Sequence, residues 1–88
     1  MFILKRNRDG FVLRVELPQG HTQDELIQMA DKELKEIEPY LRGATSVSIN
    51  GRLTAGVALL LGRRLGHICK NVWLYDPEEG FYIKAVWH

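Results

Sequence analysis

Residues 46–77, SVSINGRLTAGVALLLGRRLGHICKNVWLYDP, decide the fold of this chain. They predict a β-strand, a polar Asn-Gly-Arg turn, an α-helix, a short basic connection, a second strand and an Asp-Pro stop. The first strand is rich in small and β-branched residues, and the second is nearly all apolar, as in an interior strand. A strand-helix-strand crossover makes its two strands parallel and its connection right-handed.

A hairpin is predicted before this unit. Residues 2–5 are apolar, and residues 11–17 alternate between apolar and polar side chains, as a half-buried strand does. Asp9-Gly10 between them is a strong turn signal. After the unit, residues 81–87 predict a fifth strand, antiparallel to the fourth.

An amphipathic helix is predicted between the hairpin and the unit. Thr22 and Glu25 have the spacing of a capping box. Apolar side chains then recur at helical spacing: Leu26, Met29, Ala30, Leu34, Ile37 and Leu41. Pro39 disfavours helical geometry at Glu38, which predicts an end or a bend there. We interpret the charged residues of this helix as a solvated face.

The second helix is predicted to start near Thr54 and to end at about Leu65, with Gly66 as its C-cap. The order of elements is then β-β-α-β-α-β-β, which is an α+β arrangement in two layers. A chain of 88 residues forms a single domain, 1–88. Such a chain buries only about 60–65 % of its unfolded surface, so association between copies would add burial.

Composition narrows the function classes. The net charge is +1, which excludes a uniformly basic nucleic-acid-binding surface but leaves room for a local basic site. Cys69 is the only cysteine, so an internal disulfide and a cysteine-based zinc site are excluded. That usage fits a reducing cytoplasm. No apolar run approaches the roughly 18–20 residues that a membrane span needs.

The turn at residues 50–54 lies where the third strand (45–49) ends and the second helix starts. Ligands favour this carboxyl edge of a sheet with crossover connections. The helix start offers free amides, Gly51 allows close approach of a ligand, and Arg52 can bind phosphate with two hydrogen bonds. Asn50, Gly51, Arg52 and Thr54 therefore form a candidate phosphate-binding turn. The pattern alone favours the alternative, an ordinary strand-to-helix turn with Thr54 as N-cap.

Two opposed polar edges follow from the strand directions. Asp76 follows the fourth strand (71–75) and joins residues 50–54 at what we call the carboxyl edge. His67 precedes that strand, nine residues before Asp76, which at ~3.3 Å per residue separates the two by 20 Å or more. Lys70 lies near His67, and the returning fifth strand brings His88 to the same amino edge. One reaction can use both edges only if subunits stack edge to edge.

Each of these residues also has an ordinary structural explanation. A histidine at the end of a helix is favoured by the helix dipole, and Asp76-Pro77 is a common turn initiator. We interpret Arg63 and Arg64 as part of a solvated helix face, with a patch that contacts phosphate as the alternative. Cys69 is interpreted as a small packing residue.

The conjunction of these residues resembles a known family. Asn50-Gly51-Arg52, His67, Asp76-Pro77 and the terminal His88 together resemble the smallest CRISPR-associated ring nucleases of type III antiviral defence systems. These proteins degrade cyclic tetra-adenylate, and they are also described as manganese-dependent RNA exonucleases that shorten oligoadenylate tails. The resemblance covers residues 46–88 well and the first half only in general layout.

The resemblance implies a ferredoxin-like fold and a homodimer that pairs head to tail into tetramers or filaments, with the cyclic RNA between subunits. It implies that His67 and Asp76 are catalytic, that Asp76, His67 and His88 are candidate ligands of Mn²⁺, and that residues 50–54 bind the ligand. Lys70 is a further candidate for ligand binding. A membrane and DNA are not expected as partners.

The sequence hypothesis is thus a metal-assisted phosphodiesterase, or ring nuclease, that degrades cyclic tetra-adenylate or short oligoadenylate RNA and switches off type III CRISPR signalling. The chain differs from some family members, because Glu78 and Glu79 stand where they have a basic residue, and because no further histidine flanks His67. A non-catalytic nucleotide-sensing domain and a plain assembly protein remain alternatives. Some members are fused to a kinase-like domain, so a longer natural protein is also an alternative.

Overall fold

The protein folds into one sheet with two helices. The computed structural model describes residues 1–8, 10–76, 78 and 80–86, with the side chains at 76, 81, 85 and 86 left out of that description. The elements are β1 (Phe2–Arg6), β2 (Gly10–Val15), α1 (Gln23–Leu41), β3 (Ser46–Gly51), α2 (Ala55–Ile68), β4 (Asn71–Asp76) and β5 (Phe81–Val86).

The strands lie in sequence order across the sheet, β1-β2-β3-β4-β5. The outer pairs, β1–β2 and β4–β5, are antiparallel, and the inner pairs, β2–β3 and β3–β4, are parallel. Both helices are therefore crossover connections that progress in the same direction, and right-handed crossovers of this kind place both helices on one face. The α+β, two-layer, ferredoxin-like arrangement predicted from the sequence is confirmed.

The core lies between the helices and the covered face of the sheet. Alternate strand residues point into it, together with one apolar stripe from each helix. The buried side chains are Leu13, Val15, Leu26, Ala30, Leu34, Leu41, Val47, Ile49, Val57, Leu61, Leu65, Cys69 and Val72. The interpretation of Cys69 as a packing residue is confirmed, since it is 2 % exposed and burial raises the pKa of its thiol.

Helix α1 begins as the sequence predicts. The backbone N–H of Glu25 donates to Thr22 Oγ1 (3.2 Å), and the N–H of Thr22 donates to Glu25 Oε1 (2.8 Å). This reciprocal capping box lowers the pKa of the Glu25 carboxyl, because the Thr22 backbone hydrogen bond favours the carboxylate.

Both predicted helix ends are too early. Helix α1 continues through Pro39 to Leu41, because proline in the last turn removes only one intrahelical hydrogen bond while Leu41 is fully buried. Helix α2 continues past Gly66 to Ile68, and the N–H of Cys69 donates to the carbonyl of Leu65 (2.8 Å). Packing of the apolar residues after Gly66 against the core outweighs the usual preference for a glycine stop.

The interpretation of the helix charges as solvated is wrong at Arg64. Its guanidinium donates to Asp31 Oδ1 and to Glu38 Oε1, so one arginine of α2 joins two carboxylates of α1. Arg63 is exposed, as expected for a solvated position. The two helices are thus held together by ion pairs at the surface as well as by the core.

The Arg64 bridge predicts how stability depends on pH. The hydrogen bond from Arg64 lowers the pKa of the Asp31 carboxyl below its ordinary value of 3.8. A lowered pKa stabilises the folded state above the unfolded value, and this contribution is lost as pH falls through the folded value. We expect the melting temperature of the wild type to fall more steeply below about pH 4 than that of Arg64→Ala.

Thermal unfolding followed by circular dichroism between pH 7 and pH 2.5 measures this difference. Arg63→Ala is the matched control and keeps the wild-type profile. An Arg64→Ala profile that runs parallel to the wild type over the whole range would contradict the bridge.

Among the described residues, no helix has the length and apolarity to cross a membrane.

Candidate functional site

The carboxyl edge holds Gly51, Arg52, Thr54 and the end of β4 at Asp76. β3 and β4 are parallel, so these strand ends meet at one side of the sheet, as predicted. A cavity of about 420 Å³ lies there; its lining includes Gly51, Arg52, Thr54 and Tyr75. Residues 51–54 therefore adjoin a cavity large enough for part of a nucleotide.

Thr54 has two structural partners at this edge. Its Oγ1 accepts from the N–H of Val57 (3.4 Å), which makes it the N-cap of α2, and its hydroxyl donates to Gln23 Oε1 (2.7 Å). Thr54 thus joins the starts of the two helices. The ordinary turn interpretation explains this residue fully, and a ligand would meet the remaining amides of the first turn of α2.

Gly51 and Arg52 have different roles in the turn. The backbone of Gly51 has φ +100°, and a Cβ there would lie 2.2 Å from the carbonyl oxygen of Val15, while the N–H of Arg52 donates to that same oxygen (3.1 Å). Glycine is therefore required by the pairing of β2 with β3. The Arg52 side chain is exposed and forms no ion pair within the described part of the chain. It is the cation that this edge offers to an anion.

Asn50 points away from the turn, toward the face of the sheet without helices. Its Nδ2 donates to the hydroxyl of Tyr82 (2.9 Å), and its Oδ1 is enclosed with no partner among the described residues. Tyr82 packs edge-on against Tyr75, with ring centroids 5.3 Å apart and planes at 64°. Sequence reasoning grouped Asn50 with Arg52, whereas the alternation of β3 directs it to another surface.

The amino edge holds His67 and Lys70, both exposed. His67 lies in the last turn of α2, where the helix dipole favours a cation. The six residues of β4 separate this edge from Asp76, which corresponds to roughly 17 Å along the strand. His88 lies outside the described residues.

Metal ligation was predicted for His67, Asp76 and His88. Among the described residues no group of three or more His, Cys, Asp or Glu side chains is placed to hold a metal ion. His67 and Asp76 lie on opposite edges, so both can ligate one ion only if two subunits meet edge to edge. The residue types suit Mn²⁺, which accepts imidazole and carboxylate ligands.

The feature that sequence reasoning missed is the uncovered face of the sheet. It carries Ser46, Ser48 and Asn50 on β3 and Trp73 and Tyr75 on β4, and Ser48 pairs with Trp73 in the register of the two strands. The signal was present in the sequence, because these residues alternate with the apolar residues that face the core. No family model, curated protein or solved structure matches the chain.

Proposed function

We propose that this protein is a phosphodiesterase that degrades cyclic tetra-adenylate or short oligoadenylate RNA and so ends type III CRISPR signalling. The observation that carries the proposal is the division of the polar residues between two opposed edges of one subunit. Arg52 and Asp76 lie at the carboxyl edge, and His67 and Lys70 at the amino edge. Head-to-tail stacking of subunits brings one edge of each kind together around a ligand.

The chemistry follows from the residue types. Arg52 and the free amides at the start of α2 hold phosphate oxygens of the substrate. His67 of the next subunit transfers a proton to or from the reacting oxygens, since histidine is the side chain that exchanges protons most readily near neutral pH. Asp76 orients the attacking group, and Lys70 adds positive charge beside His67. Mn²⁺, bound between stacked edges, would supply charge stabilisation at the phosphate.

The test is incubation with cyclic tetra-adenylate and Mn²⁺, followed by chromatographic separation of cyclic and linear adenylates. We expect linear products from the wild type and a rate about 10²–10⁴-fold lower from His67→Ala, the range of general acid–base catalysis. His21→Ala is the matched control, because His21 is an exposed histidine that pairs with Glu25 just before α1. It keeps the wild-type rate.

The alternatives give different results in the same assay. An intact ring at high protein concentration rejects the phosphodiesterase. Tight binding without turnover, with an affinity that His67→Ala leaves unchanged, identifies a nucleotide-sensing domain instead. Altered oligomerisation in Arg52→Ala without any nucleotide binding identifies an assembly protein. The proposed place of action is the cytoplasm.

A further inference from the structure

A groove of about 650 Å³ crosses the uncovered face of the sheet. Its floor is β3, where Ser46 and Ser48 present small side chains between larger neighbours. One wall is formed by Trp73 and Tyr82, and the other side is formed at the tip of the β1–β2 hairpin by Arg8. The small residues of the central strand are thus the reason that the sheet has a groove here.

One ring of the aromatic wall, that of Tyr82, is held in position by contacts within the sheet. Ser48 pairs with Trp73 in the β3–β4 register, so the indole borders the floor directly. The ring of Tyr82 is fixed at its hydroxyl by Asn50 Nδ2 (2.9 Å) and packs edge-on against Tyr75. Fixed aromatic rings lose little conformational freedom when a flat ligand stacks on them.

The rest of the lining is polar. Ser48 contributes a hydroxyl, and Asn71, paired with Ser46 at the start of β4, contributes an amide. Arg8 is exposed at the rim and forms no ion pair with any described residue. Aromatic rings for stacking, amide and hydroxyl groups for a base edge and a guanidinium for phosphate are together the groups that recognise a nucleotide of a single strand.

We infer that this groove binds one nucleotide of a single-stranded RNA, with its base stacked on the Trp73 and Tyr82 wall and its phosphate at Arg8. The choice of adenylate rests on the proposed function. Asn71 is the first residue of β4, so the groove starts at the amino edge of the sheet. A second copy of the chain fits this lining less well, because the centre of a stable interface is apolar and depleted in charge.

Binding of fluorescein-labelled linear tetra-adenylate, measured by anisotropy in EDTA, tests the groove without turnover. We expect Trp73→Ala to raise Kd about 10-fold or more, the effect of losing one base–aromatic stack. Ser48→Phe fills the groove while keeping strand propensity, and raises Kd similarly. Tyr40→Ala is the control, because Tyr40 is 69 % exposed on α1. Circular dichroism confirms that each variant is folded.

Several outcomes overturn the inference. One is wild-type affinity in both Trp73→Ala and Ser48→Phe, and another is a wild-type protein that binds neither tetra-adenylate nor tetra-uridylate. A third is that the variants lose binding only to the extent that they sediment as a smaller oligomer. That result would make this face an interface between copies. If the wild type binds tetra-adenylate and tetra-uridylate equally well and Trp73→Ala binds both more weakly, the groove is a nucleotide-binding site without a preference for adenylate.

The groove and the proposed function fail in different ways. If cyclic tetra-adenylate is not cleaved but Trp73→Ala still weakens binding of the linear probe, the groove stands and the phosphodiesterase does not. If the ring is cleaved with the same KM by the wild type and Trp73→Ala, the phosphodiesterase stands and the groove does not.

Discussion

A mixture of His67→Ala and Asp76→Ala proteins is expected to degrade cyclic tetra-adenylate although neither variant does so alone. The reason is that the two residues are separated within a subunit. β3 and β4 run parallel, so Asp76 lies at the carboxyl edge of the sheet and His67 at the amino edge. In a head-to-tail stack each site takes His67 from one subunit and Asp76 from the next. A His67→Ala subunit that presents its intact Asp76 to an Asp76→Ala subunit rebuilds a complete site.

The expected size of the effect follows from random pairing. In an equimolar mixture, about one junction in four joins the two intact edges, so we expect about a quarter of the wild-type rate. The measurement is the initial rate of linear adenylate formation at fixed total protein, with the mixing ratio varied. The rate should pass through a maximum at one to one.

The double variant His67→Ala/Asp76→Ala mixed with the wild type is the control. It contributes no intact edge, so the rate should fall as the double variant replaces the wild type. A mixture of the single variants that stays as inactive as each variant alone would contradict stacking, since both residues would then be needed from the same subunit. A rate close to that of the wild type in either single variant would instead show that the substituted residue is not catalytic.

The strand directions were predictable because local signals were strong and consistent. The alternation of residues 11–17, the Asp9-Gly10 turn and the Thr22 capping box each point to the element that forms. The crossover then fixed which polar residues share an edge. The opposed edges thus follow from the sequence alone, since topology decides the end of the sheet to which a residue belongs.

The helix ends were not predictable from local signals. Pro39 and Gly66 are residues that commonly stop helices, yet each lies inside one. What extends the helices is the burial of Leu41 and Cys69 against the sheet, and that contribution depends on tertiary packing. Local signals did not predict the ion pair between Arg64 and Asp31 for the same reason, because it joins residues 33 positions apart.

The uncovered face shows a different limit of sequence reasoning. Ser48 and Trp73 are unremarkable alone, and they form a floor and a wall only because β3 and β4 pair in one particular register. A shift of β4 by one residue against β3 would turn Trp73 into the core. The prediction of Asn50 as part of a phosphate-binding turn depended on sequence adjacency to Arg52, which the alternation of strand residues overrides.

Gly51→Ala is expected to destabilise the fold by about 2–4 kcal/mol, the cost of a severe local backbone conflict. The new Cβ would lie 2.2 Å from the carbonyl oxygen of Val15, at a residue with φ +100°. Relief of the contact requires β2 and β3 to separate at their paired ends. For a domain of this size the melting temperature should fall by about 10–25 °C.

Substitutions at two other glycines distinguish the cost of the Val15 contact from the cost of the left-handed backbone conformation. Gly43 has φ +85° but open space around its Cβ position, so Gly43→Ala should cost only the about 1–2 kcal/mol of left-handed geometry. Gly62 lies in α2 with open space and ordinary φ, so Gly62→Ala should stabilise by up to about 1 kcal/mol. Urea unfolding of the three variants without nucleotide measures the series. Equal costs at Gly51 and Gly43 would show that the Val15 contact is not the cause.

The Gly51 result also bears on what the Asn-Gly-Arg sequence contributes to function. If glycine is required by the β2–β3 pairing, its presence is no evidence that a phosphate approaches the backbone. Asn50 is likewise engaged with Tyr82 on the uncovered face, and Thr54 is engaged with Val57 and Gln23. The Arg52 side chain and the free amides of α2 are then what the turn itself offers an anion. Under the proposed function, a ligand at this edge would be held by the charge of Arg52 and the dipole of α2, and the stacked subunit would supply the remaining groups.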